Sequence, residues 1–150
     1  SDVYKRQIRN SKISSELMKI ILGFIGLFVI FQGTILYQSK PLEQSIADGE
    51  EIYIDFCIQC HLDRGQGEPG EIPPLAKSDY LINDVDHSIW GIKYGLRGKI
   101  VVNGKEYDGV MENQGLDDTE IADVMNYILN SWGNEFNEVI TSERVARIEK

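Results

Sequence analysis

The two cysteines of the chain lie beside a histidine, in the order Cys57-Ile-Gln-Cys60-His61. On a helix, two thiols three residues apart can reach the two vinyl groups of a single haem, and an imidazole directly after the second thiol can point at the iron. This spacing therefore predicts the covalent attachment of one haem through Cys57 and Cys60, with His61 as the proximal ligand of the iron.

Three other kinds of site use cysteines at this spacing. A redox-active dithiol would need a strand before its helix, and no strand signal precedes Cys57. A zinc site needs four ligands, but His87 is the only other histidine and there is no second pair of cysteines. A disulfide across two intervening residues would be strained and would leave His61 without a role. Haem attachment accounts for all three side chains.

Two helices with apolar faces are expected to hold this motif. The first is predicted over residues 45–60, with residues at three- and four-residue steps that form one face: Ile46, Gly49, Ile52, Tyr53 and Phe56. The second is capped by Asp117 or Asp118 and stops near Trp132-Gly133. Its apolar positions have helical spacing: Ile121, Val124, Met125, Ile128 and Leu129.

The rest of residues 38–150 is predicted to form loops and short helical turns. Residues 62–79 are rich in Gly, Pro and Asp and are expected to form a loop. Short helical turns are expected over 79–83 and 87–94. Residues 95–114, which contain four glycines, are expected to form a second loop region. A final short helix is expected over 142–149. Because no sustained strand alternation is visible, the predicted fold class is all-α.

Composition excludes several classes of protein. Of the 150 residues, 42% are apolar and 26% are charged, values that exclude general disorder. The net charge of −9 argues against a nucleic-acid-binding protein. Two cysteines are too few for a multi-bridge secreted scaffold. A small domain with long Gly- and Pro-rich loops has little apolar core, and a large bound cofactor would supply more.

An uncharged stretch near the N-terminus has the length of a membrane helix. Residues 20–37 carry no charged side chain, and the apolar run 17–37 is 21 residues long. At a rise of about 1.5 Å per residue it would span roughly 30 Å, the hydrocarbon thickness of a bilayer. Basic residues outnumber acidic ones before this run, and only Lys40 follows it closely. The positive-inside rule then places the N-terminus in the cytoplasm and residues 38–150 outside.

A cleaved signal peptide is the alternative, but its apolar region would be about 7–15 residues long and would end in a small-x-small site, which is absent here. The first seven residues resemble a translated sequencing adapter, and the basic excess persists without them. The predicted organisation, in chain order, is a cytoplasmic segment (1–16), a transmembrane anchor (17–37), a tether (38–44), a haem domain (45–133) and a C-terminal extension with a short helix (134–150).

Residues 45–133 resemble the class I cytochrome c family. Gly49, Tyr53 and Cys57 keep the four-residue steps that family members show before the haem motif, and Val124 and Tyr127 match the positions where the C-terminal helix crosses this one. The resemblance implies the class I cytochrome c fold, with three to five helices around one covalently bound haem. With the predicted anchor, the expected fold class is this all-α fold preceded by a single N-terminal transmembrane helix.

The resemblance also implies roles in haem binding for residues after the motif. The Pro-x-Leu of the family matches Pro73-Pro74-Leu75. By that match, the Pro73 carbonyl accepts a hydrogen bond from Nδ1–H of His61, and Leu75 packs on the haem face. The family takes its second axial ligand from a methionine in the loop before the last helix, and Met111 matches that position. Glu112 follows it where the family often has proline.

Other residues compete with Met111 for the sixth position of the iron. Met125 lies on the apolar face of the predicted C-terminal helix, where packing in the core is its expected role. Met18 belongs to the predicted anchor and does not reach the site. His87 is the rival ligand, although a surface role explains it equally well.

Ligation by His61 and Met111 would fill both axial positions of the iron, which favours electron transfer over catalysis and leaves no place for a small-molecule substrate. We therefore expect an electron carrier on the periplasmic side of a bacterial inner membrane, with membrane-bound respiratory complexes as redox partners. Four basic residues before Met111 would form a positive docking rim, bind the haem propionates (with Arg97 as the favoured residue) or belong to a solvated loop: Lys93, Arg97, Lys99 and Lys105.

Two alternative functions remain open from the sequence. The same domain would serve as the haem c subunit of a larger oxidase, reductase or quinoprotein dehydrogenase. A haem sensor or peroxidase-like protein would instead require a vacant sixth position at the iron.

Overall fold

The computed structural model describes residues 17–25 and 40–150, with a boundary between two compact units after Ser39. Of the predicted transmembrane anchor, residues 17–25 are helical. At a rise of about 1.5 Å per residue they extend over roughly 14 Å, about half of the hydrocarbon thickness. The other residues of the predicted anchor (26–37) and the predicted cytoplasmic segment (1–16) lie outside the described residues.

Among the described residues, no helix combines the length and the apolar character needed to cross a bilayer. The predicted fold class, which included a single transmembrane helix, is corrected accordingly. The fold that can be described is that of residues 40–150.

This unit contains helices and one hairpin, in the order α1 (Leu42–Phe56), α2 (Ile58–His61), α3 (Asp79–Asn83), α4 (Val85–Tyr94), β1 (Leu96–Val102), β2 (Lys105–Met111), α5 (Asp118–Leu129) and α6 (Ser142–Ala146). Asp117 begins α5 with a capping box: its carboxylate accepts from the Glu120 backbone N–H, and the Glu120 carboxylate accepts from the Asp117 N–H.

Helices α1 and α5 cross at close range around Gly49. A Cβ at this position would overlap the carbonyl group of Asp123 and lie 2.9 Å from Cβ of Tyr127. Val124, predicted at the crossing, is fully buried, but the neighbour of Gly49 along α5 is Asp123. Beside the crossing, the ring of Tyr53 packs against those of Tyr127 and Trp132, with centroids 5.5 Å and 5.0 Å away.

A buried polar network joins this crossing to the C-terminal extension. Ser45 Oγ donates to Asp123 over 2.5 Å, and Lys40 Nζ lies 2.6 Å from the same carboxylate. Asn126, which is fully buried, donates to Ser45 Oγ and to the Ile140 carbonyl and accepts from the Ile140 N–H, all within 2.9 Å. The side chain of Asn126 therefore joins Ile140 of the C-terminal extension to α1 and α5.

Replacing Asn126 by alanine is expected to lower the free energy of unfolding by about 2 kcal/mol. The change leaves the buried N–H and C=O groups of Ile140 without partners, and unpaired buried groups of this kind cost about 1–3 kcal/mol. Urea unfolding of the purified domain measures the difference. Asn130→Ala is the control, because Asn130 is exposed and its side chain makes one hydrogen bond, to the Asn126 carbonyl. An equal effect of the two substitutions would contradict this assignment.

Tyr53, beside the helix crossing, is expected to make the free energy of unfolding depend on pH in the alkaline range. Burial, followed by the neighbouring Cys57 and Tyr127, raises the pKa of the Tyr53 hydroxyl well above its usual value of 10.0. In the unfolded chain this hydroxyl loses its proton near pH 10, whereas in the folded chain it retains the proton at higher pH. The stability linked to this group is therefore complete below about pH 10 and is lost as the pH rises towards the folded pKa.

Tyr53→Phe is expected to lower the free energy of unfolding at pH 7 by about 1 kcal/mol, because the Tyr53 hydroxyl donates to the Leu62 carbonyl over 2.7 Å. Between about pH 10 and pH 12, however, the stability of the variant should fall less steeply than that of the wild type. Urea unfolding at a series of pH values measures both slopes. Parallel slopes would show that the Tyr53 hydroxyl is not responsible.

The predicted loop over 95–114 is instead an antiparallel hairpin, so one two-stranded sheet, which the sequence did not lead us to expect, accompanies the helices. Strand β1 pairs with β2 from Leu96 opposite Met111 to Val102 opposite Lys105. The turn between them is Asn103-Gly104, and both residues have positive φ, 51° and 74°. Asn-Gly with this backbone is typical of two-residue hairpin turns. The glycines of this segment therefore lie in and beside two strands.

Candidate functional site

The Cys-x-x-Cys-His motif lies where α1 ends. Residue Cys57 follows the last turn of α1, and the four residues of α2 carry Cys60 and His61. Both cysteines are free; Cys60 is exposed and Cys57 is half-buried. The predicted single helix over 45–60 is thus interrupted at Cys57, where φ is −113°, and the second thiol and the imidazole are carried by a separate turn.

A cavity of about 380 Å³ lies beside this motif. All six residues predicted to bind haem or iron line it: Cys57, Cys60, His61, Pro73, Leu75 and Met111. Apolar side chains from α3, α4, the hairpin and α5 form much of the remaining wall: Leu81, Ile92, Leu96, Ile100, Val102 and Ile128. The volume is within the range of cofactor and ligand pockets, about 300–1,000 Å³.

The imidazole of His61 is fixed in one orientation. Its Nδ1 lies 3.1 Å from the carbonyl oxygen of Pro73. Because a carbonyl only accepts hydrogen bonds, this contact places the proton on Nδ1 and leaves the lone pair of Nε2 for a metal. Burial lowers the pKa of His61, opposed by the bond to Pro73, so burial favours the neutral ring that a metal ligand requires.

The loop that carries Pro73 and Leu75 is anchored on both sides. The backbone N–H of Leu75 donates to the Gly65 carbonyl over 2.7 Å. The Leu75 carbonyl accepts from Nδ2 of Asn134, a buried residue that also accepts from the Lys77 N–H. Asn134 belongs to the C-terminal extension, so residues beyond the predicted haem domain help to position the cavity wall.

The two rival axial ligands both line the cavity. Met111 is the last residue of β2 and pairs with Leu96 of β1. His87 lies in the first turn of α4, where its ring stacks parallel to that of Trp90 at 5.8 Å. Met125 is fully buried in α5 and is not part of the cavity wall. Met111 therefore lies on the hairpin, whereas it was predicted to lie on a loop.

The protonation of Cys57 argues against a reactive dithiol. Burial, with a smaller contribution from Cys60, raises the pKa of the Cys57 thiol to about 11. Exchange with disulfides requires the thiolate, which is scarce at neutral pH with such a pKa. Within residues 17–25 and 40–150, no group of three or more His, Cys, Asp and Glu side chains is arranged to hold a metal ion.

Three of the four basic residues before Met111 are paired with acidic side chains. Lys93 lies 2.9 Å from Asp118, and Lys99 lies 2.7 Å from Glu106. The guanidinium of Arg97 contacts both oxygens of the Glu112 carboxylate, at 2.7 and 2.9 Å. Glu112 stands directly after Met111, at the position where the resemblance led us to expect proline. Its ion pair with Arg97 joins the end of β2 to strand β1.

The cavity also contains a polar residue that the sequence analysis did not identify. Tyr80 of α3 lines the cavity, and its hydroxyl oxygen is buried without a hydrogen-bond partner. No pattern in the sequence indicates that Tyr80 lines a cavity, because α3 is a single short turn. The residues that line the cavity fit a haem: apolar walls for the macrocycle, two thiols, an imidazole and a thioether.

Comparison with known proteins gives the same assignment. The cytochrome c family profile matches residues 46–132. The chain is 43% identical over 93 residues to cytochrome c-552 of Thermus thermophilus. This match covers 59% of the chain and 70% of that relative. A second cytochrome c-552 sequence from the same species matches with equal identity over 62% of its own length.

A more distant relative belongs to an enzyme complex. The chain is 27% identical over 104 residues to the cytochrome c subunit of the quinone alcohol dehydrogenase of Gluconobacter oxydans. That match covers 67% of this chain but 21% of the subunit, so the chain spans about a fifth of the length of that relative.

Proposed function

Since the chain belongs to the cytochrome c family and carries one covalently bound haem c, we propose that it transfers single electrons through a haem iron ligated by His61 and Met111. Bound haem supplies an iron that alternates between Fe(III) and Fe(II). The observation that carries the proposal is the placement of Cys57, Cys60, His61 and Met111 around one cavity. The first three come from the end of α1 and from α2, and the fourth comes from β2.

The protein contributes to this chemistry by holding ligands and by excluding water. The bond from Nδ1 of His61 to the Pro73 carbonyl fixes the ring and strengthens Nε2 as a ligand. Met111 would add a soft thioether, which favours Fe(II). The apolar wall formed by Leu75 and its neighbours favours the less charged form of the iron, since desolvation penalises charge.

We place the haem domain outside the cytoplasm, in the periplasm of a bacterium. Support comes from the uncharged stretch over residues 20–37 and from the basic residues before it, a pattern that directs the following chain across a membrane. Redox partner proteins are the proposed binding partners. Since Lys93, Arg97 and Lys99 already have acidic partners, we do not assign this cluster as the docking surface.

A second candidate function is that of a haem c subunit in a larger dehydrogenase complex. The relative named as the cytochrome c subunit of a quinone alcohol dehydrogenase favours it. Size-exclusion chromatography of the protein from its native host distinguishes the two functions. A free carrier elutes alone, whereas a subunit elutes with a dehydrogenase whose activity follows the haem absorbance.

The proposed function is tested by expressing the chain in a host with c-type haem maturation and extracting it with acid–acetone. We expect haem to remain with the protein and to show a sharp α band in reduced-minus-oxidised spectra. A low-spin ferric spectrum is also expected, because both axial positions are filled. Haem that extracts, or never binds, would refute covalent attachment. A wild type that is five-coordinate would instead support the sensor or peroxidase-like alternative.

A further inference from the structure

Asn134, at the start of the C-terminal extension, joins a loop of the cavity wall to helix α5. The residue is only 4% exposed, and both polar atoms of its side chain are hydrogen-bonded. Its Oδ1 accepts from the Lys77 N–H over 2.7 Å. Its Nδ2 donates to the Leu75 carbonyl over 3.0 Å and to the Ile128 carbonyl over 2.8 Å. One buried amide thus connects two separate parts of the domain.

The two residues before Asn134 pack against the same region of the chain. A Cβ on Gly133 would lie 2.8 Å from Cε of Lys77, so the absence of a side chain allows this close approach. The ring of Trp132 covers Gly65 so closely that a Cβ there would lie 2.6 Å from it. Residues 132–134, which we call the clasp, therefore contact both the beginning and the end of the loop that follows the haem motif.

The backbone of this loop has a conformation that it does not favour by itself. Lys77 has a φ of 51°, in the left-handed region that disfavours residues with a side chain. Strain of this kind persists where surrounding contacts determine the conformation, and it is concentrated at functional sites. The N–H of Lys77 donates to Asn134, 57 positions further along the chain. A tertiary contact therefore supports the strained residue.

The same loop presents the acceptor that orients the proximal imidazole. The Pro73 carbonyl oxygen lies 3.1 Å from Nδ1 of His61. Neither Pro73 nor Pro74 has a backbone N–H, so neither can anchor itself by donating a hydrogen bond. The first backbone anchors after the two prolines are the N–H and the carbonyl of Leu75, and that carbonyl accepts from Asn134. The position of the Pro73 carbonyl thus depends on anchors that include Asn134.

We propose that Asn134 is a positioning residue for the proximal iron ligand. By fixing residues 73–77, it holds the Pro73 carbonyl against Nδ1–H of His61. This inference rests on the proposed function, because it requires His61 to ligate the iron. The bond to Pro73 makes Nε2 a stronger donor to the iron, and a stronger donor favours Fe(III). Release of the loop would expose Nδ1–H to water and would weaken this donation.

The test compares Asn134→Ala with Asn126→Ala in the haem-loaded protein. The two asparagines are matched, because each is buried and each side chain makes three hydrogen bonds. The bonds of Asn126 reach Ser45 and Ile140 instead of the loop. We expect similar losses of stability in urea.

The two variants should differ at the proximal ligand. In Asn134→Ala, Nδ1–H of His61 should exchange with D₂O at least about tenfold faster than in Asn126→Ala, as followed by proton NMR of the reduced protein. The reduction potential of Asn134→Ala should also rise above that of the wild type, since weaker donation from Nε2 favours Fe(III) less. Equal exchange rates or equal potentials in the two variants would overturn the assignment, because a general loss of stability would then explain both.

Hydrogen exchange in the wild type gives a measurement that needs no variant. If one opening of the loop releases both groups, the protection of the Lys77 N–H and of the His61 Nδ1–H should fall in parallel as urea is added. A Lys77 N–H that exchanges while Nδ1–H stays protected would show that His61 is held without Asn134. A wild type without covalent haem or a low-spin spectrum would refute the proposed function instead, and absorption spectra recorded first separate the two failures.

Discussion

Replacing Met111 by alanine is expected to convert the ferric protein from low spin to high spin and to lower its reduction potential. The soft thioether favours Fe(II), so its loss stabilises Fe(III). A fall on the order of 0.1 V is expected, a fraction of the roughly 0.8 V range over which axial ligands tune haem potentials. Haem attachment should persist, because the substitution leaves Cys57, Cys60 and His61 unaltered.

Absorption spectra and a potentiometric titration measure both effects. His87→Ala is the decisive comparison, because His87 also lines the cavity. If Met111 is the ligand, this variant keeps the low-spin spectrum and the weak charge-transfer band typical of methionine-ligated ferric haem. If His87 is the ligand, His87→Ala becomes high spin, Met111→Ala stays low spin, and the methionine charge-transfer band is absent from the wild type. A second control, Met125→Leu, alters a buried methionine of α5 outside the cavity wall and should leave the spectrum unchanged.

Replacing Gly49 by alanine is expected to destabilise the domain by about 3 kcal/mol or more. The added Cβ would overlap the carbonyl group of Asp123, and the next contact is Cβ of Tyr127 at 2.9 Å. Neither neighbour is the mobile end of a flexible side chain, so relief requires the two helices to separate. Overpacking of a core commonly costs about 1–3 kcal/mol, and a clash with backbone belongs at the upper end.

Urea unfolding measures this loss, and the haem spectrum reports whether the site is disturbed as well. Ala47→Val is the control, because Ala47 lies on the same helix with an exposed side chain. This substitution adds more volume than the alanine at position 49 but should cost no more than about 0.7 kcal/mol, from helix propensity. Similar midpoints for the two variants would show that the helix crossing tolerates a larger side chain and that the packing argument is wrong.

Local patterns predicted the helices that position the motif. The helical spacing of Ile121, Val124 and Ile128 predicts α5, and Asp117 with Glu120 forms its capping box. The predicted turn over 79–83 coincides with α3. These features depend on residues within one or two turns of each other, and helical periodicity and capping are properties of such short range.

The hairpin was missed because its glycines were interpreted as loop residues. The sequence does contain its signal: Asn103-Gly104 lies between Ile100-Val101-Val102 and Tyr107, an Asn-Gly turn between strand-forming residues. Gly98 and Gly109, which pair with each other across the two strands, made the segment resemble a loop.

The membrane-spanning helix was predicted from hydropathy over 17–37. Among the described residues, no helix has the length and the apolar character needed to cross a bilayer.

The sequence by itself determined the cofactor and its attachment, because Cys57, Cys60 and His61 are neighbours along the chain and their chemistry follows from their spacing. Which residues meet across the cavity was decided by the tertiary structure. Met111 reaches the site on a strand, and Tyr80 does so on a single turn that Asn103 holds in place. Whether a hydroxyl has a partner depends on atoms brought together from distant parts of the chain, and short-range patterns do not record that.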